Sequence, residues 1–172
     1  MKNTRPATAD YNAYYEAYVG KVQGKNIVEA LSNSFPKTMQ FIKTIPTEKW
    51  TYAYAEGKWT IKELMIHLID AERIFTNRAL RIARNDKTAL PGFDQDEFAP
   101  FTNANNRSIE SIIEAYESVR RASLTLFKNF TDEMWQRKGI ASDNTVTPLA
   151  IAYITLGHEI HHFAVIKERY LK

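Results

Sequence analysis

The residues with the most chemistry to offer in this sequence are its four histidines, His67, His158, His161 and His162. A neutral imidazole is a good ligand for a first-row divalent metal, and three of the four fall within five residues of one another. On an α-helix His158 and His162 lie one turn apart on one face, a spacing that lets two imidazoles share an ion, whereas His161 points about 100° away from His162. The face carrying the pair continues through Ile151, Ile154 and Val165, so both rings turn toward a core. Burying them with neither hydrogen bond nor metal would be costly there. Taken alone, His-x3-His also describes surface histidines or hydrogen-bonded core ones. His67 favours the metal: it sits one turn after Glu63 and one before Ala71, on the flank of a second apolar stripe, and can point into the same interior. Three imidazoles from two helices leave a coordination position open, the pattern of a catalytic site rather than a closed structural one.

The run His158-Glu159-Ile160-His161-His162 also satisfies the His-Glu-x-x-His pattern of zinc peptidases, with Glu159 as base. That reading is disfavoured. Only ten residues follow His162, none of them histidine; Glu168 is too close to serve as a third ligand; and no strand pattern offers an edge for a peptide. Asp70 and Glu72, three and five residues after His67, are either acceptors for an imidazole N–H or ion-pair partners of Arg73 or a nearby lysine. Asp94, Asp96 and Glu97 read as a solvated loop in preference to a substrate contact, and Tyr52, Tyr54 and Trp59 as core in preference to a pocket wall. Arg73, Arg78, Arg81, Arg84 and Lys87 run toward the C-terminal end of a helix, where cations complement its dipole; a solvated face is expected rather than a phosphate-binding surface.

The elements that must position these groups are helices. Apolar residues recur at helical spacing, and no segment shows the period of two that a half-buried strand requires, so the class is all-α. Helix one carries Ile27, Leu31, Phe35, Met39 and Ile42, with Pro36 inside it expected to bend it or to mark a late start. Before it, Tyr11 to Tyr18 suggests a short helix ended near Gly20. Helix two begins at Ile61, where Thr60 and Glu63 form a capping box and Trp59 and Leu64 a hydrophobic staple, and it runs to about Arg84. Helix three follows the cap Ser108 and carries Ile109, Ile112, Tyr116, Val119, Leu126 and Phe130. Helix four has Thr147 as cap and Pro148 in its first position, and runs through Leu171. Helix one ends in Thr47, Glu48 and Trp50 and helix three in Thr131, Asp132 and Trp135, a weak internal repeat that places a histidine-bearing helix at the end of each half. Some 23 residues, Asn85 to Arg107, separate helices two and three. Extended, they cover about 75 Å against about 36 Å for a 24-residue helix, so they cross the length of the bundle. Helices two and three are then parallel, and the four-helix bundle is up-down-down-up.

At 172 residues the chain is expected to be one domain, 1–172, with residues 1–25 as an N-terminal extension. With no cysteine it offers no disulfide, thiolate zinc site or cysteine nucleophile, so any thiol chemistry must use a sulfur brought by a substrate. A net charge of +3 is far from the basic stripe of a nucleic-acid binder. The polar start and the lack of a contiguous apolar run near 18 residues point to a cytoplasmic protein without a membrane span.

Four ordered stretches resemble the DinB-like superfamily of metal-dependent enzymes: Tyr54 to Leu64, His67 to Arg73, Pro91 to Asp96, and Gly157 to His162. The resemblance covers most of the chain from helix one onward and implies an up-down-down-up bundle. It also implies a divalent metal, nickel or zinc, bound by one histidine of helix two and two of helix four, positions held here by His67, His158 and His162. Relatives in that superfamily include thiol-dependent transferases and isomerases. The implied activity is therefore transfer of a low-molecular-weight thiol cosubstrate to a small-molecule electrophile, with hydrolysis by water that the metal activates, or a non-catalytic stress-associated metal-binding role, as alternatives. A homodimer is expected as well, since closed two-fold pairs are the commonest soluble oligomers.

Overall fold

Side-chain caps set where the long helices begin. In the computed structural model, which describes residues 4–172, Asn26 accepts from the backbone N–H of Glu29 and opens α1, Ile27–Ile42. Thr60 and Glu63 close a reciprocal capping box that opens α2, Ile61–Ala83. Ser108 opens α3, Ile109–Phe127, and Thr147 with Pro148 opens α4, Pro148–Val165, which continues as a π-helical turn over Ile166–Tyr170. Pro36 neither delays nor ends α1: the helix starts at Ile27 and runs across the proline. α3 stops at Phe127, short of Phe130, which packs instead against Trp135 behind the bundle end.

Hydrogen bonds between helices give their directions. Thr60 meets Asn105 just ahead of α3, Glu72 meets Arg120, and Thr76 meets Ser123, so α2 and α3 advance in step and are parallel. The Tyr170 hydroxyl, at the end of the α4 extension, donates to the carbonyl of Trp59 just before α2, so that pair is antiparallel. The crossover from Asn85 to Arg107 is punctuated by short helical turns at Gln95–Phe98, Ala99–Phe101 and Ala104–Asn106.

A short hairpin departs from the all-helical expectation. Gly139–Ala141 (β1) and Asn144–Val146 (β2) pair antiparallel, and the two turn residues, Ser142 and Asp143, have φ of 49° and 62°, the signature of a type I′ turn. Leu90 of the crossover bridges to Ala141. Strands of three residues are too short for a period of two to stand out.

The apolar core falls into two clusters, one built around Phe75, Phe127 and Trp135, the other around Trp50, Met65 and Tyr116. A polar layer lies between them. Arg120, 1% exposed, donates from Nε and Nη2 to both oxygens of Glu72 at 2.9 Å, and Nη2 also donates to Glu159 at 2.6 Å. Glu159 accepts further from the Tyr116 hydroxyl at 2.5 Å and from Thr38 at 3.1 Å, and Arg120 reaches Ser34. All four long helices contribute to this layer. α4 and its extension, Pro148–Tyr170, are long and apolar enough by composition to cross a membrane, yet 72% of the apolar window is buried, as befits the central helix of a bundle.

Candidate metal centre

His67 lies two turns into α2, and His158 and His162 lie one turn apart in the second half of α4. Because the two helices are antiparallel, these levels coincide. The three rings meet: His67 Nε2 and His162 Nε2 each lie 3.0 Å from His158 Nε2, and the three candidate ligand atoms are all within 4.8 Å of one another. His161 is left out; its ring packs edge-on against Tyr18, 5.4 Å between centroids.

Hydrogen bonding alone does not satisfy this cluster. An imidazole nitrogen carries either one proton or one lone pair, so His158 Nε2 can serve one neighbour well but not both. Among the described residues His162 Nδ1 is also buried without a partner, and an ion on Nε2 would leave it so. A cation accepting three converging lone pairs would remove the conflict at His158 Nε2, and the two 3.0 Å separations suit bonds of about 2.0–2.1 Å, while the third pair of donors lies within 4.8 Å. The donor set therefore fits a divalent metal.

Burial also sets the protonation that a ligand needs. It lowers the pKa of His67 to about 4, with Asp96 acting weakly the other way, and that of His162 to about 3, helped by the neighbouring rings. His158 is held well below its ordinary range for the same reasons. All three are neutral near pH 7. The same shifts make stability pH-dependent: an unfolded histidine binds its proton near pH 6.5, so stability stored in neutral buried rings is complete above that pH and is lost as pH falls toward the folded values. In chelator-treated protein, thermal melts should drop steeply between pH 6.5 and 4, by about 3 kcal/mol from His67 alone. A melting temperature flat across that window would contradict the neutral buried triad.

The rings open onto a cavity of about 180 Å³ walled by aromatic groups, among them Trp59, Phe75 and Phe93. Trp59 packs on His67 with 4.9 Å between ring centroids, so it belongs to the pocket wall and not to the core, while Tyr52 and Tyr54 pack on Tyr170. Tyr14, Tyr15 and Tyr18 form another side of the cavity, which no sequence signal had tied to the site. They come from a 3-10 turn at Ala13–Tyr15 and a helical turn at Glu16–Val19, which replace the single short helix expected there. Gly157 holds them close: a Cβ on it would lie 2.0 Å from the backbone oxygen of Tyr18.

The acidic residues near His67 pair elsewhere. Asp70 accepts from Arg73 at 3.0 Å, and Glu72 is committed to Arg120, so neither orients a triad imidazole. Glu159 is turned into the polar layer and away from the cavity, which removes it as a base. Asp94 caps the Gln95–Phe98 turn, and Asp94, Asp96 and Glu97 are all exposed. Among the row of basic residues, Arg78 is a correction: it is buried, lines the cavity and donates to the Pro91 carbonyl at 2.6 Å and to Ser142 Oγ at 3.2 Å, while Arg73, Arg84 and Lys87 lie toward solvent. Its position eleven residues after His67, three turns on and nearly in phase, was the available signal.

A sequence model of the DinB superfamily matches residues 30–166. The chain belongs to the DinB superfamily. Among the relatives of this DinB chain is a protein of Oceanobacillus iheyensis, named provisionally as a metal-dependent hydrolase, which is 28% identical over 144 residues covering 81% of this chain and 79% of the relative. A Geobacillus thermodenitrificans protein with the same provisional description is 28% identical over 90 residues, 52% of this chain and 51% of that one. The solved structure of YfiT from Bacillus subtilis, described as a probable metal-dependent hydrolase with an unusual four-helix bundle topology, covers 96% of the DinB chain and 91% of its own at a TM-score of 0.72 and 14% identity. At that identity the likeness speaks for the fold.

Proposed function

We propose that this chain is a divalent-metal-dependent enzyme in which His67, His158 and His162 hold the ion, and that it transfers a low-molecular-weight thiol to a small electrophile admitted through the aromatic cavity. The convergence of the three rings, with His67 Nε2 and His162 Nε2 each 3.0 Å from His158 Nε2, carries the metal assignment. A divalent cation there, nickel or zinc, lowers the pKa of a thiol or water that it coordinates and so supplies a nucleophile at neutral pH. The chain's own residues keep the three imidazoles neutral by burial and limit water with Trp59, Phe75 and Tyr18. The lining of this cavity has no carboxylate among the described residues, but Asp96 lines the adjoining pocket with Trp59 and His162 and bears on His67, so it is the one carboxylate available as a base. A thiol, with an ordinary pKa of about 8.5, needs none once acidified. Hydrolysis would have to move protons through Asp96, tyrosine hydroxyls or solvent; the descriptions of the relatives favour it as the second reading.

Metal analysis of the purified protein is expected to give about one ion per chain, and His162→Ala to reduce that below a tenth. Because the apolar clusters on either side of the site are continuous, the variant and the chelated wild type should still melt cooperatively, only modestly below the metal-bound protein. Conjugation of biological thiols to an aryl halide should follow metal content. Loss of cooperative unfolding in both samples would instead mark the ion as a structural tie between α2 and α4, and ester hydrolysis without conjugation would favour the second reading. A twofold homodimer and a cytoplasmic location belong to the same proposal; light scattering that gives a monomer at micromolar concentration would remove the dimer.

A further inference from the structure

Arg78 is the one charged side chain in the lining of the histidine cavity among the described residues, since the triad imidazoles are neutral. It is 6% exposed and pairs with no carboxylate. The other buried arginine, Arg120, is matched by Glu72 and Glu159, and arginines that lack a carboxylate, such as Arg5, Arg84 and Arg107, are exposed or half-buried. Arg78 meets only neutral groups: the Pro91 carbonyl, Ser142 Oγ, the neighbouring Tyr15 hydroxyl, and the Phe93 ring, whose centroid is 5.9 Å from its Cζ. These contacts fix the guanidinium in place and leave its charge uncompensated. A cation withdrawn from water without a counter-charge is costly, and a planar guanidinium held at a cavity wall by Nη2 keeps Nε and Nη1 for a carboxylate, with a full fork once the longer Ser142 bond is given up.

Its position says where that carboxylate would sit. Residues eleven apart on a helix differ by about 20° in direction and about 16 Å in rise, so His67 and Arg78 look into one trough along α2. Ala71 and Phe75 lie between them on the same lining, the small alanine leaving room and the phenylalanine giving an apolar floor. We infer that Arg78 binds the anionic end of the substrate, which makes the substrate class a small carboxylate-bearing molecule with an apolar or aromatic middle and its reacting group at the histidines, up to about 16 Å along the helix. This assignment rests on the proposed metal centre as the place of reaction, but the anion subsite itself does not need the ion.

The test uses 4-phenylbutyrate and its uncharged amide as probes, titrated into chelator-treated full-length protein and read by calorimetry and by tryptophan fluorescence, to which Trp59 contributes beside Trp50 and Trp135. The wild type should bind the carboxylate at least about tenfold more tightly than the amide. In Arg78→Met that ratio should fall to about one with amide affinity unchanged, and Arg78→Lys, which keeps the charge but loses the fork, should retain a preference of a few-fold. A ratio near one in the wild type overturns the inference without reference to any variant, as does a carboxylate preference that survives Arg78→Met in folded protein. With the ion removed, ligation of the carboxylate to metal cannot produce the preference. A protein that takes up no metal yet discriminates between the probes would overturn the metal centre and leave the anion subsite standing; the reverse pattern would do the opposite.

Discussion

Replacing Arg120 with methionine is expected to cost about 3–5 kcal/mol of folding stability and to lower the melting temperature by about 10 °C or more. The loss follows from what remains. Glu72 and Glu159 are 5% and 3% exposed, and with the guanidinium gone two carboxylates would face each other at the middle of the bundle with only Tyr116 and Thr38 as donors. The cost comes from that stranded charge and not from the intrinsic worth of the ion pair, because a buried pair is often no better than well-packed apolar groups. The combined variant Arg120→Met, Glu72→Gln, Glu159→Gln should therefore recover most of what the single substitution loses. Denaturant titration decides the matter: a single variant within about 1 kcal/mol of wild type, or a triple variant as unstable as the single, would show that the layer does not act through compensated charge. The layer also holds α4 in register beside the histidine triad, since Glu159 follows His158 directly.

A single methyl group at Gly157 is expected to do nearly as much to the site while leaving the bundle folded. A Cβ there would lie 2.0 Å from Tyr18 O and 2.4 Å from Tyr18 C, both backbone atoms that no side-chain rotation can move. Gly157→Ala must then push the N-terminal segment off α4, carrying Tyr14, Tyr15 and Tyr18 away from the cavity and uncovering His158, on which Tyr18 packs at 5.4 Å between ring centroids. We expect metal content to be retained and thiol transfer to fall by about a hundredfold, since positioning and exclusion of water are lost together. Limited proteolysis should cut ahead of α1 in the variant and spare the wild type. A Gly157→Ala variant with normal activity and a protected N-terminal segment would show that the segment is not part of the site.

The parts of this molecule that were legible in the sequence are those whose physics is local. Thr60 with Glu63 announces a helix start because a capping box spans four residues, and His158 with His162 announces shared ligation because one turn spans five. His67 could be added since its helix had a legible face. The rest depends on contacts between distant segments. Glu72 and Arg120 occupy inward positions of their helices, but a lone inward charge looks like a solvated one until its partner on another helix is placed beside it. Arg78 was hidden among basic neighbours whose company suggested water, although its phase with His67 pointed inward. The tyrosines near the N-terminus gave no sign of belonging to the site, because only the missing Cβ of Gly157 lets their backbone come close enough.

The match to the DinB superfamily begins at residue 30, beyond the tyrosines that wall the cavity. The histidine triad and one face of the chamber in front of it thus come from separate stretches of chain, the bundle helices and the segment ahead of α1. The front of the chamber is therefore a docked piece: its shape depends on how the leading segment seats on α4 at Gly157, while the long helices fold from their own caps and cores.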